Sequence, residues 1–237
     1  MPTQPPVAIV FDTFGTVVDW RTSLITELTA FGAERGIRAD WTGLVDAWRA
    51  AYHPSMNRVR NGELPWTRLD DLHRASLDKL VVDFGIVGLS EADMAHLNRG
   101  WHRLRPWPDS VPGLTRLKTK FIIGPLSNGN VSLLTNMAKY SAIPWDMVFG
   151  SDLFGHFKPD PEAYLGVGKL LDLQPGQVML AAAHNNDLQA AQSCGLMTAF
   201  FPRPSEYGPH QKLDYAPDGK WDYVAKNIED LASQLGV

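Results

Sequence analysis

A single carboxylate, Asp12, stands directly after the first apolar run of the chain, VAIVF. The next positions hold Thr13, Phe14, Gly15 and Thr16, so no second acid stands beside it. Later apolar runs are followed by further polar residues, namely Ser127 and Asn128, then Lys158, and then His184, Asn185, Asn186 and Asp187. A carboxylate supported by hydroxyl, ammonium and amide groups has the composition of a nucleophile with groups that stabilise charge.

These residues need a scaffold that brings distant parts of the chain together. Five short apolar runs are typical of buried parallel strands, and they are VAIVF, FIIGPLS at 121 to 127, MVFG at 147 to 150, VMLAAA at 178 to 183 and MTAFF at 197 to 201. Segments of helical periodicity separate the later runs. The alternation predicts an α/β fold, a parallel sheet with helices on both faces. Ligands of such sheets bind beyond the carboxyl ends of the strands, where the polar residues lie.

The segment between the first and second of these runs has a different pattern, because it contains no convincing strand. Its apolar residues follow helical spacing in LITELTAFGAERG, WTGLVDAWRAAYHPSMNRVR, TRLDDLHRASLDKLVVDFG and SEADMAHLNRGWHRL. Ser90 and Asp93 have the spacing of a capping arrangement at a helix start. We therefore predict an all-helical cap, residues 19–105, inserted into a core of residues 1–18 and 106–237. The proline-rich start, MPTQPP, is expected to be a loose tail.

The composition of the 237 residues excludes several classes of protein. Apolar residues make up 44% and charged residues 20%, and the formal net charge of −4 gives no indication of a nucleic-acid partner. The one cysteine, Cys194, has no partner for an internal disulfide, and no apolar stretch approaches the ~18 residues of a membrane span. We expect a soluble, cytoplasmic protein that binds neither nucleic acid nor membranes.

Four segments resemble, in order, the four motifs of the haloacid dehalogenase superfamily, and they are FDTFGT, LSNGN, KPDPEAY and AAHNND. Together with WR and the late FPRPSEYGP, they are similar to the (S)-2-haloacid dehalogenase family within it. The resemblance implies a Rossmann-like core with a helical cap, a nucleophile at Asp12 and a homodimer.

The chain departs from the phosphatases of that superfamily at two positions. The phosphatases carry a second Asp two residues after the nucleophile, where this chain has Phe14, and a metal-binding acid where it has Ala183. A hard divalent cation needs oxygen ligands, and two of them are altered here. We therefore predict a site without a metal or other cofactor. A leaving halide needs no proton, so a lone Asp12 can displace it without a general acid.

The resemblance implies a reaction in two steps. Asp12 displaces the halide of a short 2-haloalkanoic acid, such as a haloacetate or an (S)-2-halopropionate, and forms an ester that water cleaves to a 2-hydroxy acid. Lys158 neutralises the surroundings of the nucleophile, and Arg49 lies on the side of the halide. The expected catalytic residues are Asp12, Thr16, Lys158, His184 and Asp187. The expected substrate contacts are Thr13, Phe14, Arg49, Ser127, Asn128, Tyr164 and Asn185.

His184 stands where the related pattern has an asparagine. Displacement of halide transfers no proton, whereas hydrolysis of the ester must take one from water. Histidine, with an ordinary pKa of ~6.5, suits that second task, and Asp187 is expected to orient its ring. The alternative is a histidine that only hydrogen-bonds Asp187 and holds the loop.

Three functions stay open at the level of the sequence. A dehalogenase of short 2-haloalkanoic acids is the leading one, with the haloacid and halide ion as its small-molecule partners. A phosphatase or phosphonatase-like hydrolase of the same superfamily is the second, and Phe14 and Ala183 disfavour it. The third is a catalytically silent domain that binds a small anion or a protein.

Overall fold

The computed structural model describes residues 4–237, so part of the expected tail lies outside the described residues. A six-stranded sheet, all of whose neighbouring strands are parallel, has the order β5-β4-β1-β6-β7-β8. The predicted α/β fold is therefore confirmed. The strands are β1 (Ala8–Phe11), β2 (Val18–Asp19), β3 (Arg105–Pro106), β4 (Ile122–Ser127), β5 (Phe149–Gly150), β6 (Val178–Ala182), β7 (Met197–Phe200) and β8 (Tyr223–Val224).

The apolar strands are buried on both faces of the sheet. Along β1, Ile9 and Phe11 join the apolar cluster on one face, and Val10 joins the cluster on the other. In β6, Met179 and Leu180 divide between the two faces in the same way. Side chains of a strand alternate between faces, so a strand covered on both sides must be apolar throughout. This is why these runs show no polar alternation.

Residues 4–237 contain ten α-helices. They are α1 (Trp20–Arg35), α2 (Trp41–Ala50), α3 (Tyr52–Arg60), α4 (Leu69–Asp83), α5 (Glu91–Asn98), α6 (Ser110–Lys118), α7 (Val131–Tyr140), α8 (Pro161–Leu171), α9 (Asn185–Ser193) and α10 (Ile228–Gln234). Within the part of the chain that the structure describes, no helix is long and apolar enough to cross a membrane.

Helices α1 to α5 occupy the segment in which only helices were predicted. One predicted run is broken into α2 and α3 at Ala51. A new helix start places Pro54 in a first turn, where its missing N–H and its ring are tolerated. The capping arrangement at Ser90 and Asp93 is confirmed, since each side chain accepts a hydrogen bond from the other residue's backbone N–H.

Strands β2 and β3 form a short antiparallel pair that the sequence did not indicate. Val18 faces Pro106 and Asp19 faces Arg105, so the chain leaves and re-enters the sheet-bearing region at one place. We propose that residues 19–105 are a cap on a core of residues 1–18 and 106–237, with this pair as the joint.

An aromatic cluster lines the cap where it meets the loop after β1. Phe14 packs edge to face on Trp101, with ring centroids 5.7 Å apart, and Trp101 stacks on His73 at 4.3 Å. Burial lowers the pKa of His73 to about 3, which makes it a neutral part of the cluster at ordinary pH. The loop after Asp12 is thus held by apolar contacts with the cap.

Candidate active site

The Asp12 carboxylate lies one residue beyond β1, buried among three polar side chains. Lys158 Nζ donates to Oδ1 at 2.9 Å, Thr16 Oγ1 donates to Oδ2 at 2.7 Å, and His184 Nδ1 lies 3.0 Å from Oδ2. Burial would raise the pKa of Asp12, but the charges and hydrogen bonds of Lys158 and His184 hold it well below its ordinary value. The carboxylate is therefore ionised, as a nucleophile must be.

Lys158 lies between two carboxylates. Its Nζ donates to Asp187 Oδ2 at 2.5 Å as well as to Asp12, and Tyr164 Oη donates to Asp187 Oδ1 at 2.7 Å. Burial would lower the pKa of Lys158, but Asp12 and Asp187 together raise it. Asn128 Oδ1 accepts the backbone N–H of Lys158 at 2.7 Å and so fixes the loop that carries it. The ammonium is charged and held against the Asp12 carboxylate.

Thr16 joins two of the loops at the carboxyl edge of the sheet. Its hydroxyl donates to Asp12 and accepts the backbone N–H of Ala183, the residue after β6, at 3.0 Å. Arg203 Nε donates to the Thr16 carbonyl, and its guanidinium forms a buried bidentate pair with Asp109. Thr16 therefore orients the carboxylate from a position behind it.

The structure corrects the expectation that Asp187 orients His184. His184 Nε2 lies 2.8 Å from Oε2 of Glu206, whereas both Asp187 oxygens bond Lys158 and Tyr164. His184 is the N-cap of α9, and Asp187 lies in the first turn of that helix. The alternative, a histidine that only bonds Asp187, is wrong for the same reason.

Arg49 reaches the site from the C-terminal end of α2 in the cap. Its guanidinium carbon lies 4.3 Å from the centre of the Tyr52 ring and 5.3 Å from that of Trp20. Burial would lower the pKa of Arg49, but the nearby Tyr207, Tyr52 and Glu206 raise it. Among residues 4–237, no acceptor binds its buried Nη1. A buried guanidinium with a free donor is suited to an anion.

These groups surround one cavity of about 750 Å³ between the cap helices and the carboxyl edge of the sheet. Nine of the expected site residues line it, and they are Asp12, Phe14, Arg49, Asn128, Lys158, Tyr164, His184, Asn185 and Asp187. Three others are buried beside this lining, and they are Thr13, Thr16 and Ser127. Thr13 and Ser127 are direct chain neighbours of lining residues. The cavity is large enough for a small organic acid.

Donors for a substrate carboxylate are available near the nucleophile. Asn128 uses its Oδ1 on the Lys158 backbone, which leaves its amide N–H groups for the cavity. Ser127 Oγ accepts from Gly129 N, so its own hydroxyl hydrogen is unused by that bond. Thr13 Oγ1 is buried and has no partner among residues 4–237. Charge-assisted bonds from such groups contribute roughly 1.5 to 3 kcal/mol each.

Asn185 does not fit the expected role of a substrate contact. Its Nδ2 donates to Asp214 Oδ1 and to the Ala216 carbonyl, and its Oδ1 accepts from Asp218 N and Trp221 Nε1. The amide group is saturated by these four bonds. It anchors the segment of residues 201–222 between β7 and β8, which we call the strap.

The strap supplies two residues that sequence reasoning missed. Glu206 is buried against His184, and Tyr207 lines the cavity and packs on Trp20 with ring centroids 5.8 Å apart. The sequence did hold a signal for these residues. PRPSEYGP follows the apolar run MTAFF, which forms β7, and so begins at the same edge of the sheet as Asp12. An acid in that position belongs with the other polar residues of the site.

The residues do not fit a divalent cation. A magnesium ion would need oxygen ligands around Asp12, but the Phe14 side chain is an apolar ring packed on the cap and the Ala183 side chain has no ligand atom, so these positions offer only backbone carbonyls. The space between Asp12 and Asp187 holds the Lys158 ammonium. Among residues 4–237, no group of three or more His, Cys, Asp or Glu is arranged to hold a metal.

Comparisons with known proteins agree with this geometry. A family model described as haloacid dehalogenase-like hydrolase matches residues 7–195. An (S)-2-haloacid dehalogenase of Xanthobacter autotrophicus is 26% identical over 209 residues, 84% of this chain and 76% of that protein. A solved defluorinating L-2-haloacid dehalogenase is 51% identical, with a TM-score of 0.95 over 98% of this chain and 96% of its own.

A more distant solved structure shares the fold. It is an L-2-haloacid dehalogenase from Xanthobacter autotrophicus with chloropropionic acid covalently bound, and it is 22% identical with a TM-score of 0.79. The match covers 97% of this chain and 98% of that chain.

Proposed function

This protein belongs to the haloacid dehalogenase-like hydrolase family, and we propose that it hydrolyses the carbon–halogen bond of short 2-haloalkanoic acids. One observation carries the proposal. Asp12 is a buried, ionised carboxylate with an ammonium on one oxygen and no acid beside it. Such a group can displace a leaving group that needs no proton, and halide is one. The L-2-haloacid dehalogenase with 51% identity supports the same substrate class.

The first step forms an ester. Asp12 attacks the carbon that bears the halogen, the carbon–halogen bond breaks on the opposite face, and halide leaves with the bonding electrons. Asn128, Ser127 and the backbone after Asp12 bind the substrate carboxylate, and the free Nη1 of Arg49 receives the halide. The covalently bound chloropropionic acid in the Xanthobacter structure supports this step for that relative.

The second step frees the enzyme. Water attacks the carboxyl carbon of the Asp12 ester, and the bond from that carbon to the ester oxygen breaks. The ester oxygen, which came from Asp12, leaves in the hydroxy acid, and the water oxygen stays in Asp12. The product is a 2-hydroxy acid with inverted configuration at the substrate carbon, and one proton is released per turnover. Lys158 stabilises the negative charge that develops on the Asp12 oxygen.

The two other functions are weaker. A phosphatase of this superfamily protonates its leaving alcohol with a second acid, and Phe14 cannot do so. A silent anion-binding domain does not account for a nucleophile held ionised by Lys158 beside an open cavity. We propose in addition that the enzyme is a cytoplasmic homodimer, from its family and from its lone cysteine.

The proposal is tested by halide release from chloroacetate and (S)-2-chloropropionate, with and without EDTA. We expect the chelator to leave the rate unchanged, because no ligand set for a cation exists at Asp12. Fluoroacetate belongs in the same assay, since the relative with 51% identity is a defluorinating enzyme. Phosphate release from p-nitrophenyl phosphate that depends on magnesium would support a phosphatase instead. Release of neither halide nor phosphate would support the catalytically silent domain.

Arg49→Lys is expected to lower the steady-state rate of chloride release by about tenfold or more. Lysine keeps the charge, but it lacks the planar fork of donors and the stacking surface between Tyr52 and Trp20. The measurement is kcat on chloroacetate. Arg58→Lys is the matched control, because Arg58 is on the cap surface beside Glu63. An Arg49→Lys enzyme with wild-type kcat would place the halide on another group.

A further inference from the structure

Glu206 is a carboxylate placed inside the protein rather than at its surface. It is 1% exposed, and its Oε1 accepts a hydrogen bond from Trp20 Nε1 of the cap at 3.0 Å. Its Oε2 lies 2.8 Å from His184 Nε2. A buried charge is costly unless it is paired, so the pairing with His184 is the main support of this group.

The loop after Asp12 is shaped to admit this carboxylate. Gly15 has a φ of +88°, and a Cβ at that position would overlap the carboxylate group of Glu206. Any larger residue would both strain the backbone and displace the acid. The nucleophile loop, the cap and the strap therefore meet at Glu206.

His184 lies between two carboxylates in the resting enzyme. Burial alone would lower the pKa of His184, but Glu206 and Asp12 raise it well above the ordinary value. The pKa of Glu206 is correspondingly lowered: burial would raise it, but His184 outweighs that effect. Other charged or titratable groups near the pair are Lys158 on Asp12, Arg49, Tyr52 and His53 of the cap, and Tyr207 of the strap. The ring is an imidazolium, which cannot accept a proton from water.

We propose that Glu206 is the positioning residue for ester hydrolysis, keeping the Nε2–H of His184 on its own side so that Nδ1 becomes a base when Asp12 is esterified. This assignment rests on the proposed function. Esterification removes the negative charge of Asp12 and leaves His184 with one carboxylate instead of two. A histidine paired with one buried carboxylate is held in one tautomer, with its second nitrogen free to accept a proton.

The protons balance over the cycle. When the ester forms, halide leaves and the His184 imidazolium loses its Nδ1 proton to solvent, which accounts for the one proton released per turnover. Neutral His184 then takes a proton from the attacking water through Nδ1. The tetrahedral intermediate passes its remaining hydroxyl proton to the departing hydroxy acid. Asp12 and the imidazolium are regenerated together, so the resting charges are restored.

The test is Glu206→Gln, assayed with chloroacetate by rapid mixing and by mass spectrometry of the intact protein. We expect the first equivalent of chloride to appear within about threefold of the wild-type rate, since displacement needs no base. We expect steady-state turnover to fall by at least about tenfold, with the Asp12 ester accumulating. In a plot of turnover rate against pH, the fall in rate on the acid side, which we call the acid limb, should move by about one pH unit to lower pH. Replacing the Glu206 carboxylate with a neutral amide lowers the pKa of His184 in the ester state, so His184 stays a free base at lower pH.

Two further variants separate charge from packing. Trp20→Phe removes the other hydrogen bond of Glu206 but keeps its charge. Because Trp20 also stacks on Arg49, we expect slower displacement of halide and a lower melting temperature, but an unmoved acid limb and no accumulated ester. Glu206→Asp keeps the charge on a shorter side chain, so it should keep the wild-type acid limb and hydrolyse the ester faster than the Gln variant. If Glu206→Gln does not fold, Glu206→Asp is compared with the wild type in the same assays.

Three outcomes would overturn the assignment. In the first, Glu206→Gln turns over normally. In the second, Glu206→Gln turns over slowly but accumulates no ester and keeps the wild-type acid limb, which would indicate that Glu206 has only a structural role. In the third, Glu206→Asp matches the Gln variant in rate and pH profile. Wild-type protein that releases no halide would remove the proposed function and this assignment with it, whereas the three outcomes above leave the proposed function intact.

Discussion

Asp12→Asn is expected to abolish turnover, with halide release falling by about 10⁴-fold or more. A neutral amide is a far poorer nucleophile than a carboxylate, and no other acid adjoins the position. The fold should persist, because Lys158 keeps Asp187 and His184 keeps Glu206 as charged partners. Chloride release and thermal melting of the purified variant measure the two parts of this expectation, and a mass spectrum excludes deamidation back to aspartate.

A single turnover of the wild-type enzyme in oxygen-18 water tests the same carboxylate from the other direction. Water attacks the ester carbonyl, so the label should enter Asp12 and not the hydroxy acid. For the Asp12→Asn variant described above, Asp83→Asn is the matched control, since Asp83 is an exposed residue at the end of α4. Label found in the first equivalent of product would mean that water attacks the substrate directly, and the ester mechanism would be wrong.

The sequence was most informative where a strand is buried on both faces. The runs that became β1 and β6 are apolar because both sides of each are covered, and the residues after them must lie at one edge of a parallel sheet. The α/β fold was predicted correctly on this basis, whereas the family was predicted correctly from the resemblance of the four motifs. The cavity gathers Asp12, Lys158 and Asp187 from three separate strand ends, as that geometry requires.

The sequence was least informative where irregular backbone carries the site. Strands β2 and β3 have two residues each, too few for any periodicity to indicate them. The strap has no repeating pattern either. Asn185 holds it from outside through the Ala216 carbonyl and the Asp218 N–H, and the strap's own Arg203 ties it to Asp109. Glu206 lies 194 positions after Asp12 in the chain. Only the folded structure brings the two together through His184.

The wrong partner for His184 has a physical cause. Asp187 is three residues from it in sequence, and that proximity suggested the pair. Asp187 lies in the first turn of α9, and its carboxylate pairs with the Lys158 ammonium. The buried Lys158 ammonium is paired with both Asp12 and Asp187, so Asp187 is not available to His184. The Nε2 of His184 pairs with Glu206 instead. Local spacing could not reveal that competition.

His184→Ala is expected to divide the reaction into its two halves. The displacement step needs no base, so one equivalent of halide should appear per active site after mixing with chloroacetate. Hydrolysis of the ester should fall by about 10²- to 10⁴-fold, the usual contribution of a positioned general base. Mass spectrometry of the intact variant should then show the ester on Asp12, and the wild-type protein under the same conditions should not.

Removing the ring also leaves Glu206 buried without its cation, so a folding defect must be separated from a catalytic one. His184→Asn is the matched variant, because asparagine keeps a polar group beside Asp12 but has no nitrogen that can accept a proton at neutral pH. Both variants should accumulate the ester if the base is what matters. If neither forms an adduct and neither releases the first halide, the ring serves the displacement step. If both turn over normally, water is activated by another group, and the free imidazole nitrogen has no part in the chemistry.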